Sequence, residues 1–419
     1  MYGMKHLFDM RAFSYHTGNH RRHRISAIKA YLVFSLAFLT LASCTTRQTS
    51  HQVRFATFNV AMGLHDPGAL GQRLEDGNDS GLESLAEILQ RVRPDVLLLN
   101  EFDYQAEIDA AKWLHRNYLE VSQNGLQPIA YPWSYSATVN TGLDSGLDLD
   151  NNGQRGEPSD AWGFGEFPGQ YGMLVLSRYP LDPGKARTFR QFLWKDLPGA
   201  LQPVKENGEA YYPGATWQQL RLSSKSHWDL PLEIHGTTVH FLVSHPTPTV
   251  FDGPEDRNGR RNHDENRLWA DYVRPGAAAY LGDDNGQSGG LEPGAAFLIA
   301  GDLNADPVDG NWAVDSTRQL LQHPQINATC IPGSRGGSDA QLQQAGINLQ
   351  HRGDPATDTS DFNDDTAGNL RIDYLLPSMS LSVDRCGVFW PAAGEPGHKI
   401  VEFSDHRLVW MDISFPAGD

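Results

Sequence analysis

Ala296-Phe297-Leu298-Ile299-Ala300, followed by Gly301-Asp302-Leu303-Asn304-Ala305-Asp306-Pro307, is the stretch on which the reading of this chain turns. Five apolar residues in a row, closed by Gly and Pro, have the length and composition of a core strand. Two acids and an amide come directly behind it, so a buried strand releases hard oxygen ligands into one place. If the strand persists, Asp302 and Asn304 share a face, since side chains two apart along a strand point the same way. A carboxylate beside an amide suits Mg²⁺ or Mn²⁺ and suits positioning a water for attack at phosphorus. The same residues also make an Asx-rich turn for purely local reasons, so this stretch alone leaves turn and site open.

Outward from it, apolar runs recur at Val53 to Val60, Val96 to Asn100, Gly172 to Ser177, Thr237 to Ser244, Ile372 to Pro377 and Leu408 to Ile413. Ser84 to Arg93 sets Leu85, Ile88, Leu89 and Val92 at helical spacing, and Arg267 to Val273 does the same with Leu268, Trp269 and Tyr272. Strands spread over residues 52–415 predict one α/β domain with long loops. Two polar stretches, about 140–170 and 251–266, are expected to be surface insertions near the strand ends, since neither has the composition to build a core.

The N-terminus reads differently. Arg21-Arg22-His23-Arg24 precedes the apolar segment Ala30 to Ala42, then Ala42-Ser43-Cys44. A basic region, a short apolar region and small residues make a secretory signal, and the segment is shorter than a spanning helix needs. A Cys directly behind resembles a bacterial lipobox, which implies cleavage after residue 43, lipidation of Cys44 and a tether over 44–51. An ordinary signal peptide or a short uncleaved anchor stays open. Cleavage takes six basic residues and one acid from the 34 and 51 of the whole chain, leaving a charge of about −22. Such a balance argues against non-specific attraction to a phosphate backbone. In an exported protein, Cys330 and Cys386 are a candidate disulfide or two separate thiols.

Other segments also end an apolar run in polar groups: Phe58-Asn59, Asn100-Glu101, Arg371-Ile372-Asp373-Tyr374 and Ser404-Asp405-His406. Together with Gly301–Pro307 and in this order, they resemble the endonuclease/exonuclease/phosphatase (DNase I-like) superfamily over about Arg54 to Ile413. The resemblance implies an α/β four-layer α/β/β/α sandwich. It implies metal coordination by Glu101, with Asn59 beside it and Asp405 as ligand or support. It further implies that Asp302 orients or deprotonates the attacking water, Asn304 donates to a phosphoryl oxygen, His406 meets the scissile phosphate and Asp373 fixes a histidine tautomer. His245, in Val243-Ser244-His245-Pro246, matches the family's general acid. Tyr171, at the start of Tyr171-Gly172-Met173-Leu174, has either a phosphate contact or packing as its role.

In the insertions, Arg257, Arg260 and Arg261 either fork onto phosphate or pair with neighbouring acids. Asp144, Asp148, Asp150 and Asn152 alternate as the start of a Ca²⁺ loop does, although Ser159 stands where an EF-hand has Glu. The expectation is therefore an exported, lipid-anchored, monomeric, Mg²⁺- or Mn²⁺-dependent phosphoesterase, with structural Ca²⁺ as a further possibility. Its substrate is a nucleic acid, a lipid headgroup or a small phosphoester. A DNase I-like endonuclease proper and a non-catalytic surface binding protein are the competing readings.

Overall fold

The computed structural model describes residues 50–309 and 315–416. Its strands are β1 (Ser50–Met62), β2 (Val96–Phe102), β3 (Trp133–Tyr135), β4 (Met173–Ser177), β5 (Arg187–Thr188), β6 (His227–Ile234), β7 (Thr237–Ser244), β8 (Ala296–Asp302), β9 (Asp373–Pro377), β10 (Ser382–Phe389) and β11 (Leu408–Pro416). The helices are α1 (Ala69–Asp76), α2 (Ser80–Val92), α3 (Ala110–Leu114), α4 (Gly214–Trp217), α5 (Arg257–Tyr272), α6 (Arg318–Leu321) and α7 (Arg335–Gln344). The strands form two sheets, ordered β10-β11-β1-β2-β4-β3 and β5-β6-β7-β8-β9. Each sheet has one parallel pair at its centre, β1 with β2 and β7 with β8. A parallel pair needs a crossover; α2 supplies the first and α5 the second.

Side-chain alternation builds the layers. On β7, Phe241 and Val243 join the core between the sheets, whereas Leu242 packs outward in the cluster that holds Leu268, Trp269 and Tyr272 of α5. On β8, Leu298 and Ala300 face inward and Phe297 and Ile299 outward; on β9, Leu375 faces inward and Tyr374 and Leu376 outward. Phe55 of β1 meets Phe241 across the sheets with ring centres 5.9 Å apart. Leu82, Leu85, Ile88 and Leu89 of α2 cover the first sheet. The result is helix, sheet, sheet, helix, the expected α/β architecture.

Several local readings change. The helix expected from Ser84 starts at Ser80, because the Asp79 carboxylate caps the Leu82 amide, and it ends where Arg93 turns left-handed at φ 54°. The segment 44–51 is not all tether: β1 already pairs Ser50 with Pro416. Cys44 and the signal region 1–43 lie outside the described residues. Strand β6 escapes the periodicity because it contains Pro231, tolerated since β5 pairs only with Trp228 and Asp229. Residues 251–266 are no loop: from Arg257 they are helical, and Asn262, Asp264, Glu265 and Asn266 are fully buried. A helix whose hidden face is polar carries no apolar stripe by which to recognise it. Cys330 and Cys386 form a disulfide, closing a separation of 56 residues.

Candidate active site

The inter-sheet rows end in the polar groups. Phe55 and Thr57 are followed on the same face by Asn59, Phe241 and Val243 by His245, Leu298 and Ala300 by Asp302, and Leu375 is preceded by Asp373. Each functional side chain thus continues an apolar row to the mouth of the sandwich, where the core stops and polar groups replace it. In the first sheet, Leu98 and Asn100 share a face, so strict alternation would put Glu101 on the opposite one. A φ of 54° at Glu101 breaks the pleat, and its Oε1 accepts from Asn59 Nδ2 at 3.1 Å.

Asp302 is the centre. Its Oδ2 accepts from Asn59 Nδ2 at 3.1 Å and lies 3.4 Å from His245 Nε2 and 3.7 Å from His406 Nε2. Its Oδ1 accepts from the Asn304 amide at 2.9 Å, and its own amide donates to Asn100 Oδ1 at 3.2 Å. Burial opposes the charge on Asp302, yet His406, His245 and Asn59 outweigh it and hold the carboxyl far below its ordinary range. His406 Nδ1 is 2.9 Å from Asp373 Oδ2. Burial would lower His406, but Asp373 and Asp302 together push it up to about 10, so it is an imidazolium at neutral pH. Burial, reinforced by the Asp302 charge, pushes Asp373 upward against the pull of His406. His245 goes the other way: burial first and Lys225 second lower it, although Asp302 and Glu101 resist. Two buried histidines on one carboxylate therefore sit in opposite protonation states.

Gly301 permits this approach of β8 to β7. Its φ is 153°, and a Cβ there would stand 2.1 Å from the Ser244 carbonyl oxygen, inside any allowed contact. Beyond Asp302 the strand ends, since Asn304 is left-handed at φ 53°. Asn304 is consequently not aligned with Asp302 by strand alternation, and its Nδ2 donates to the Pro246 carbonyl at 3.0 Å. Asp306 is a turn residue: Oδ1 accepts from the Val308 and Asp309 amides, and Oδ2 from the Arg371 amide.

Tyr171, also left-handed at φ 55°, lies half-buried against Gly63. Burial, then the Glu101 charge, raises its hydroxyl. The Asp405 carboxylate is exposed, its main-chain oxygen accepts from the Asp361 amide at 2.7 Å, and its charge adds to those that raise His406. Arg257 and Arg261 are committed to the protein, whereas Arg260 Nε makes no hydrogen bond. Arg257 pairs with Glu255, Arg260 lies 4.0 Å from Asp256, and Arg261 donates to the carbonyls of Leu222, Trp162, Arg221 and Ser223.

Three supports carried no sequence signal of their own. Ser404 Oγ donates to the Asn59 carbonyl at 2.8 Å and accepts from the His406 amide at 3.0 Å, tying the two site strands together. Thr359 Oγ1 accepts from the Ile372 and Asp373 amides. Glu265 of α5 accepts from the Ser224 and Thr247 amides at 2.6 Å each, bracketing His245 from both sides of the β6–β7 pair.

Three groups have the donors for a cation. Glu101 and Asp302 present carboxylate oxygens to the same Asn59 amide, an all-oxygen set that fits a hard divalent ion. Asp302, Asp373 and His406 also lie close enough to share one; the hydrogen bond between His406 Nδ1 and Asp373 Oδ2 leaves the buried Asp373 Oδ1 without a hydrogen-bond partner. In the 140–170 insertion, Asp148 and Asp150 come together with Asp160, a residue the EF-hand comparison missed because it sits one position past the twelfth. Asn152 joins them through its amide, which donates to both Asp148 and Asp150 at 3.1 Å. Asp144 is not part of that group; it caps the Gly146 amide at 2.8 Å.

A two-sheet α/β sandwich with Asn, Glu, Asp and His gathered at one mouth defines a phosphate-ester hydrolase fold. The chain belongs to the endonuclease/exonuclease/phosphatase family, whose model matches residues 56–406, and it is a hydrolase acting on phosphate ester bonds. Similar solved structures include an endonuclease/exonuclease/phosphatase from Beutenbergia cavernae, 17% identical, with a TM-score of 0.48, covering 87% of this chain and 72% of that one. Another is TDP2 from Caenorhabditis elegans, 16% identical, TM-score 0.41, covering 86% and 75%. A third is a beta toxin from Staphylococcus aureus, 14% identical, TM-score 0.42, covering 87% and 99%. No curated protein matches the chain.

Proposed function

We propose that this chain is an exported, metal-dependent phosphoesterase that attacks phosphorus directly with water, acting on a compact phosphate ester. The observation that carries the reading is the convergence of Asn59, His245 and His406 on one ionised oxygen, Asp302 Oδ2. A fixed anion at that point accepts a proton from water, which general-base catalysis requires within hydrogen-bond reach. His406, kept cationic by Asp373, faces the same point and stabilises charge growing on a phosphoryl oxygen. His245 Nε2, 3.4 Å from the same Asp302 oxygen, protonates the leaving oxygen from the minor fraction that carries the imidazolium, since burial keeps most of it neutral. Glu101, with Asn59 beside it, would hold Mg²⁺ or Mn²⁺, which when bound supplies charge neutralisation at the phosphate.

A compact ester is favoured over a polymer because Arg257 and Arg261, in a dense run of cations between β7 and β8, are spent inside the protein. The acidic balance of the chain points the same way. Export and lipid anchoring at Cys44 rest on the sequence from Arg21 to Cys44, and the insertion acids Asp148, Asp150 and Asp160 would take Ca²⁺ structurally.

The test is an activity screen with Mg²⁺ or Mn²⁺ over plasmid DNA, RNA, bis-nitrophenyl phosphate, sphingomyelin, inositol phosphates and nucleotides, with Asp302→Ala as control. Hydrolysis of small esters, lost in the control, supports the proposal. Turnover of DNA alone would establish the endonuclease reading instead, and no turnover of any ester would leave a binding protein.

A further inference from the structure

Lys225 lies in the short segment before β6 and is only 6% exposed. Lysine is seldom buried without a partner, because its ammonium loses hydration and gains nothing in return. Among the described residues, Lys225 Nζ makes no hydrogen bond and no ion pair, yet it is held among charges. Glu101, Glu265 and Asp302 face it as anions, and Arg261 and His245 as cations or potential cations. Burial lowers its pKa, and the three carboxylates oppose that.

Two of those carboxylates are engaged elsewhere, and the third, Glu101, has its Oε1 on the Asn59 amide. Both oxygens of Glu265 take the Ser224 and Thr247 amides. Asp302 is occupied by Asn59 and the Asn304 amide, with both histidines beside it.

The backbone around Lys225 is fixed on every side. Its carbonyl accepts from the Asn140 amide at 2.9 Å, and Asn140 Nδ2 donates to the Ser223 carbonyl at 2.8 Å. Ser224 Oγ donates to the His245 carbonyl at 3.4 Å, and Gly163 passes so close that a Cβ would stand 1.9 Å from the Ser224 oxygen. The 140–170 insertion and helix α5 thus clamp this lysine beside His245, with its ammonium facing carboxylates but hydrogen-bonded to none of them. A preorganised, unpartnered cation next to the reacting groups is an anion site waiting for its anion.

We propose that the Lys225 ammonium receives a non-bridging oxygen of the substrate phosphoryl group, as a substrate-binding residue beside Asp302 and His245. The assignment rests on the phosphoesterase reading above. A lysine suits it, since a compact point charge reaches one oxygen without demanding the planar fork of an arginine.

The experiment uses the full chain with Mg²⁺ and compares wild type, Lys225→Met, Lys225→Gln and Lys225→Arg. Orthophosphate affinity is measured by calorimetry, KM and kcat on bis-nitrophenyl phosphate, and Tm by differential scanning fluorimetry. Lys225→Met is expected to weaken orthophosphate binding about ten- to a hundredfold, the range of a charged hydrogen bond, and to raise KM. Its Tm is expected to hold or rise, because an unpartnered buried ammonium has been removed, and Lys225→Arg to recover part of the affinity. Wild-type turnover with unchanged orthophosphate affinity in Lys225→Met overturns the inference alone. Loss of folding in both the Met and Gln variants also overturns it, by making the lysine structural. A wild type that neither binds orthophosphate nor hydrolyses any ester overturns the phosphoesterase reading and this inference together.

Discussion

Asn59 donates its side-chain amide to Asp302 across 243 residues of sequence, joining the end of β1 in one sheet to the end of β8 in the other at 3.1 Å. The same nitrogen reaches Glu101 at 3.1 Å, so one amide holds the two carboxylates of the site at a fixed spacing. Like charges that close repel, and an N–H donor between them relieves the repulsion while fixing their orientation.

Asp302→Asn is expected to lower kcat by about 10²–10⁴, the usual worth of a positioned general base. The far-ultraviolet circular dichroism spectrum should stay unchanged, since the amide is isosteric. Activity within tenfold of wild type would remove Asp302 from the base role.

Glu101→Gln is expected to raise the Mg²⁺ concentration giving half-maximal rate by about tenfold or more, because a neutral amide is a weaker ligand for a hard cation. Chelation with EDTA should abolish activity, and added Mg²⁺ should restore it. A metal titration of wild type and variant decides this.

The His406 imidazolium makes stability depend on pH in a set direction. Its folded pKa, about 10, lies above the unfolded value of about 6.5. Its contribution is therefore complete below about pH 6.5 and disappears as pH rises through 10. The Tm of wild type minus that of His406→Gln should be largest near pH 6 and shrink steadily toward pH 10. A difference that grows with pH would contradict the cationic assignment.

Glu265→Ala leaves the buried amides of Ser224 and Thr247 without acceptors. It is expected to cost about 2–4 kcal/mol of stability, read by urea unfolding, and to lower kcat as His245 loses its brackets.

Cys386→Ser opens the 56-residue separation closed by the disulfide. In the chain-entropy description it removes about 4 kcal/mol. Unfolding with and without a reducing agent should differ for wild type and not for the variant.

The apolar runs at Val53, Val96, Thr237, Ala296 and Leu408 were legible as strands because burial on both faces keeps polar residues in them few. Their polar endings, Asn59, Glu101, His245, Asp302, Asp373 and His406, were legible as site candidates for the complementary reason: a core strand that stops abruptly must exchange apolar for polar side chains at its mouth. The matching face of Asn59, His245 and Asp302 is implicit in the two-residue period. The C-terminal part of helix α5 was legible from Leu268, Trp269 and Tyr272, but its N-terminal part was hidden, because the face buried there is Asn262, Asp264, Glu265 and Asn266, whose reward for burial is hydrogen bonding to loops rather than loss of apolar surface. The same concealment applied to the fate of Arg261, which reads as a free cation and is in fact a staple for four carbonyls.

By itself, the sequence determined the strands that carry the site and the residues at their ends, because apolar runs and abrupt polar endings are local properties, and the family resemblance of those residues implied the reaction class. Only the tertiary structure decided how those ends are charged and oriented. Asp302 is ionised because two histidines and an amide from distant strands surround it, His406 is cationic because Asp373 backs it, and Glu101 reaches the site through a left-handed turn. Electrostatic fields and desolvation depend on distances between segments hundreds of residues apart, and no local pattern in a chain encodes those distances.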